Sequence, residues 1–134
     1  MTKLAEIEGI GEVYSAKLEQ GGINSVESLL SSCCEKKGRK QVAEQLNISE
    51  KLLLGWVNRA DLARVKGIST QYADLLEEAG VDTVPELAQR NADNLHAKMV
   101  EVNTAKKLVR QVPSLAQVQD WVSQASSLPR VINY

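Results

Sequence analysis

Apolar residues along the chain recur at intervals of three and four. Leu53, Trp56, Val57 and Ala60 stand at i, i+3, i+4 and i+7, and Val118, Trp121, Val122 and Ala125 repeat that spacing. Positions so spaced share one face of a helix, so both segments are predicted to be helices that bury a tryptophan. Ser49 and Ser114 precede them at N-cap distance, where a side-chain oxygen can accept from the first unpaired amides. Shorter helices are predicted around Tyr14 and Leu18, and around Tyr72, Leu75 and Leu76. Gly22 and Gly80 end these as left-handed C-cap residues. Ser25 and Thr83 then open further helices, with Thr83 and Glu86 at capping-box spacing. No segment sustains a period of two. The expected class is all-α.

The pattern occurs twice. Residues 4–31, LAEIEGIGEVYSAKLEQGGINSVESLLS, align without a gap on residues 62–89, LARVKGISTQYADLLEEAGVDTVPELAQ, at an offset of 58. Ten of the 28 positions are identical, where chance would give roughly one or two. The tryptophan segments align at an offset of 65, so the second copy is seven residues longer in its middle. This is an internal duplication.

Apolar-Gly-apolar-Gly before a helix, as in Ile7 to Gly11, resembles the helix-hairpin-helix motif. The second copy is a degenerate version in which Ser69 replaces the second glycine. Over about residues 3–126 the chain is similar to a bacterial family of unknown function built from paired motifs of this kind. The resemblance implies an all-α fold of two duplicated helix-hairpin-helix units in a pseudo-two-fold relation, sharing one core. Residues 1–61 form the first repeat and 62–125 the second, joined near Asp61 within one compact domain. Residues 126–134 form an extended C-terminal tail. There Pro129 blocks a helix and biases Leu128 toward extended backbone. Val131, Ile132 and Tyr134 offer apolar surface to a groove on the chain's own domain or on a partner.

The resemblance also implies a chemistry. In nucleic-acid-binding members, amides of the hairpin and of the following helix start point at a backbone phosphate. Glycine permits the close approach, and unpaired N–H groups with the helix dipole favour the anion. Transferred residue by residue, the candidates are Gly9 and Gly11 in the first hairpin and Lys66, Gly67, Ser69 and Thr70 in the second. Glu8 and Glu12 flank the first hairpin and would repel a phosphate, so the second is the better suited. Two basic clusters add to it: Lys36, Lys37, Arg39 and Lys40, four cations in five residues, and Lys98, Lys106, Lys107 and Arg110 in the second copy.

Composition narrows the choice. The chain has 134 residues, 43% apolar and 25% charged, long enough to bury a core. Phe is absent and aromatics are 4%, so Leu, Val, Ile and Ala must fill that core. No apolar run reaches the length of a membrane span, and no signal-peptide stretch opens the chain. The adjacent Cys33 and Cys34 suit neither a structural disulfide nor a zinc site, which points to a reducing cytoplasm. His96 has no nucleophile or metal-ligand partner at usable spacing, so no catalytic residue, metal, cofactor or small-molecule substrate is expected. Net charge is −1, and any nucleic-acid contact must rest on local patches.

Residues 39–62 also read as a helix-turn-helix that would place Glu50, Lys51, Asn58 and Arg59 at a DNA groove. The tryptophan helix recurs in the second copy without that approach sequence, which favours a structural helix. Two functions remain: a non-enzymatic binder of nucleic-acid backbone, DNA more than RNA, and a protein-interaction adaptor in which both hairpins are purely structural.

Overall fold

A computed structural model of the chain describes residues 3–133 apart from Glu8, and all of Thr70 but its side chain. The Glu8 carboxylate, the Thr70 hydroxyl and Tyr134 therefore lie outside the described residues. Among those described, a 3₁₀ turn (Leu4–Glu6) leads to α1 (Gly11–Gln20), α2 (Val26–Cys33), α3 (Lys36–Leu46), α4 (Glu50–Leu62), α5 (Thr70–Glu78), α6 (Val84–Ala88), α7 (Ala92–Lys106) and α8 (Leu115–Ser127). The described residues include no strand.

Local chemistry accounts for most of the helix ends. Ser25 Oγ accepts from Ser28 N at 3.1 Å, and Ser28 Oγ accepts in return from Ser25 N at 3.0 Å, so two orphan amides are satisfied at the start of α2. Ser114 and Gln117 do the same for α8, at 3.1 and 2.9 Å. Asn91 caps α7 and Ser69 caps α5. Thr83 departs from its expected box. Its hydroxyl meets Glu86 Oε1 at 3.4 Å, and no amide of α6 is capped by it. At the other ends, Gly22 (φ 86°) and Gly80 (φ 96°) turn left-handed. Each lets the following amide reach back five residues, Ile23 N to Leu18 O and Val81 N to Leu76 O, both at 2.9 Å.

The chain divides into two units, Met1–Asp61 with Val131–Tyr134, and Leu62–Arg130. Buried apolar side chains form two clusters, one within each unit, where the sequence reading expected one shared core. Each cluster has its own tryptophan. Trp56 is 1% exposed and meets the Tyr14 ring edge-on, with centroids 5.1 Å apart. Trp121 is equally buried and packs on Tyr72 at 5.4 Å. The glycine that opens each turn lies against its tryptophan. A Cβ on Gly9 would sit 3.5 Å from Trp56 Nε1, and one on Gly67 only 2.9 Å from Trp121 Nε1.

The expected tail over residues 126–134 starts later, because α8 runs through Ser127, and it is divided: residues up to Arg130 belong to the second unit and Val131–Tyr134 to the first. Leu128 is extended, with φ −91° and ψ 137°. Ile132 is buried in the Trp56 cluster. Asn133 donates its amide N–H to Cys34 O at 2.8 Å and its side-chain N–H to Glu35 Oε1 at 2.9 Å.

Candidate nucleic-acid interface

The first turn is built by two left-handed glycines around a buried isoleucine. Gly9 has φ 90° and Gly11 φ 61°, while Ile10 between them is 1% exposed. No atom lies within 4 Å of a Cβ placed on Gly11, so that glycine answers to its backbone angle alone. Ile10 supplies no side-chain cap to α1. Glu12 stands in the first helical turn and is exposed, which sets a carboxylate where an incoming phosphate would come.

The second turn is held differently. The amide of exposed Lys66 donates to Gln124 Oε1 at 2.9 Å, and Gln124 Nε2 donates to the Lys66 carbonyl at 3.1 Å and to Asp120 Oδ2 at 2.7 Å. Gly67, with φ 97°, is exposed, and Ile68 is buried. Ser69 Oγ accepts from Tyr72 N at 3.2 Å, so the hydroxyl already satisfies one of the amides that the sequence reading offered to a phosphate. Gln124 and Asp120 were not foreseen. Gln124 stands three residues after Trp121, on an adjoining helical face, and that spacing is the signal that could have found it.

The start of α5, the end of α7 and the segment after it enclose an open cleft of about 920 Å³. Ser69, Gln71 and Tyr72 form one wall; Asn103 and residues 107–111 form the other. The second wall is fixed by specific bonds. Asn103 Nδ2 donates to Val109 O at 3.1 Å and its Oδ1 accepts from Val109 N at 3.0 Å, while Tyr72 Oη donates to Gln111 O at 3.1 Å. Lys107 ends α7 in a left-handed conformation, φ 52°, which turns the chain into this wall. Three of the sequence candidates, Ser69, Lys107 and Arg110, thus meet in one cleft whose lining, among the described residues, includes no carboxylate.

The other cations are placed elsewhere. Lys106 pairs with Glu78, and Lys98 lies 3.8 Å from Glu101. Lys36, Lys37 and Lys40 are exposed on α3, in the first unit. Arg39 from the same run turns inward and is 5% exposed. Its Nη1 donates to Cys33 O at 3.0 Å and Cys34 O at 3.1 Å, and its Nη2 to Asn133 O at 2.9 Å. A guanidinium there supplies donors to carbonyls that the end of α2 leaves unpaired. Arg39 therefore joins α2 to the C-terminal segment and presents no charge to a ligand.

His96 and Cys33 are engaged inside the protein. His96 Nε2 lies 3.0 Å from Pro113 O; a carbonyl can only accept, so this nitrogen carries the proton. The histidine thus ties α7 to the residue before the α8 cap and is not mere surface decoration. Burial pushes the Cys33 thiol from 9.0 up to about 11, against the opposing pull of Arg39. Of the helix-turn-helix candidates, Glu50 and Lys51 are exposed, whereas Asn58 and Arg59 are half-buried and have partners within the protein.

Among the described residues no helix is long and apolar enough to cross a membrane. No group of three or more His, Cys, Asp or Glu residues among them could hold a metal ion. No solved structure matches the chain. A family model does match, over residues 8–128, and the chain belongs to that family, a domain of unknown function (DUF4332).

Proposed function

We propose that this chain is a non-enzymatic binding module of the tandem helix-hairpin-helix kind, and that it holds the backbone of nucleic acid, DNA more than RNA. The cleft of the second unit carries this reading. It joins Ser69, at the start of α5, to Lys107 and Arg110, and no carboxylate lines it among the described residues. Two exposed cations on a rigidly bonded wall suit a phosphate chain, and contacts of that type do not distinguish sequences. Exposed Lys66 beside the same turn, and Lys36, Lys37 and Lys40 on α3, are the further positive positions. The paired units follow from the internal repeat together with the matching Gly9–Trp56 and Gly67–Trp121 contacts. A reducing cytoplasm suits the two free thiols.

Charge reversal tests the reading. The Lys107→Glu, Arg110→Glu double variant should bind labelled DNA at least about tenfold more weakly than the parent, by a similar factor for unrelated sequences. Unchanged affinity would remove the cleft from consideration.

One observation favours a protein-interaction adaptor instead. The backbone around the second turn is already engaged by Gln124 and Ser69, whereas Val13, on the first turn of α1, is 72% exposed. Under that reading the charge reversal leaves any DNA affinity untouched, and Val13→Asp abolishes capture of a protein partner while the thermal midpoint stays unchanged.

A further inference from the structure

We propose that the cleft takes single-stranded nucleic acid, seating one unpaired base against Leu108 while Lys107 and Arg110 hold the neighbouring phosphates. This rests on the nucleic-acid reading above and adds the class of strand to it.

The starting observation is where an apolar side chain lies. Leu108 is 37% exposed and lines the cleft directly after Lys107 and two residues before Arg110. The cleft thus sets an accessible apolar surface between two cations. An unpaired base has an apolar face that would cover it. Lys107 and Arg110 are three residues apart, so their Cα atoms lie within about 11 Å of one another. Long, flexible arms at that separation can reach phosphates on either side of one nucleotide. Arg110 can in addition lay its planar guanidinium on the base.

Shape points the same way. A duplex presents its phosphates as a convex rail with the bases turned inward, so it would touch the rim and leave the interior of the cleft unfilled. The volume of about 920 Å³ falls in the range of clefts that take small organic groups. A single strand can turn a base into it, where the exposed Gln71 offers a donor and an acceptor to the base edge. Tyr72 is not the stacking platform. Its ring packs on Trp121 and its hydroxyl holds the Gln111 carbonyl, which leaves exposed Leu108, with half-buried Val109 beside it, as the apolar surface.

The test compares three labelled ligands of equal length on the full chain: an oligothymidine, a duplex, and a single strand of abasic sugar-phosphate. The oligothymidine should bind at least about threefold tighter than the other two, on the order of what covering the exposed part of a leucine contributes. Leu108→Ser should erase that preference while leaving duplex affinity, which does not use the base seat, unchanged; most of the side chain is covered, so the thermal midpoint should fall slightly and binding is compared well below it. Equal affinity for all three ligands, weakened alike by Lys107→Glu, would overturn the base seat and leave the backbone reading standing. A preference for oligothymidine that survives Leu108→Ser would also overturn it. Binding of none of the three would end both.

Discussion

Gly67 and Gly11 both stand in the turns before a helix and have different reasons to be glycine. At Gly67 the backbone has φ 97° and a Cβ would lie 2.9 Å from Trp121 Nε1, so alanine meets both strain and a clash with a buried ring. At Gly11 only the angle, φ 61°, opposes a side chain. Gly67→Ala should therefore cost about 2–5 kcal/mol and Gly11→Ala about 1–2 kcal/mol, read from denaturant midpoints. The opposite order would mean that the tryptophan contact does not constrain the turn. The two thiols should separate as sharply. At pH 8 an alkylating reagent should modify half-exposed Cys34 and spare buried Cys33, and unfolding should expose both. Unfolded Cys33 loses its proton near 9.0, while the folded thiol keeps its proton up to about 11. Stability should therefore fall as pH rises through that window and show no contribution from this thiol below 9.0. Cys33→Ala should flatten that limb. Arg39 shows what was readable at this scale and overlooked. Within residues 36–40 it looks like one more surface cation. Yet Arg39, Val42, Ala43 and Leu46 stand at i, i+3, i+4 and i+7, the spacing of a buried face, and the structure turns that face inward.

At the scale of elements, helices were the legible part because each is specified by residues close in sequence. Ser25, Ser69 and Ser114 cap where serine should, and Gly22 and Gly80 stop their helices with left-handed angles. Thr83 was misread because spacing cannot say which group its hydroxyl meets; here that group is the Glu86 carboxylate. Pro129, Val131 and Ile132 mark in the sequence an extended segment with apolar surface to bury. Its acceptor, the Cys34 carbonyl, and its clamp, Arg39, lie more than ninety residues earlier, and no local pattern links them. Deleting residues 131–134 removes a buried isoleucine and the three hydrogen bonds of Asn133 from the first unit. The loss should be about 3–5 kcal/mol, seen as a lower melting temperature. Arg39→Ala should reproduce much of it, and adding the deletion to Arg39→Ala should cost less than the sum of the two. Full additivity would show that the guanidinium and the tail act separately.

At the scale of the whole molecule, the cleft was the least legible feature. Ser69 stands 38 residues before Lys107 in the chain, and only the packing of α5 and α7 in one unit brings both to one cleft. Sequence did supply the chemistry of the two sides, a helix start and a basic run, without their meeting. It also overstated the charge available, since Arg39 is internal and Lys106 is paired with Glu78. With a net charge of −1 the molecule has no overall field for an anion, so binding must come from a few local contacts. That makes the salt dependence of DNA affinity the most direct measurement. For the parent chain, log affinity should fall linearly with log salt, with a slope that counts the phosphates neutralised. The Lys107→Glu, Arg110→Glu double variant should flatten that slope by about two contacts. A slope near zero in the parent, or one that the double variant leaves unchanged, would contradict phosphate binding in this cleft.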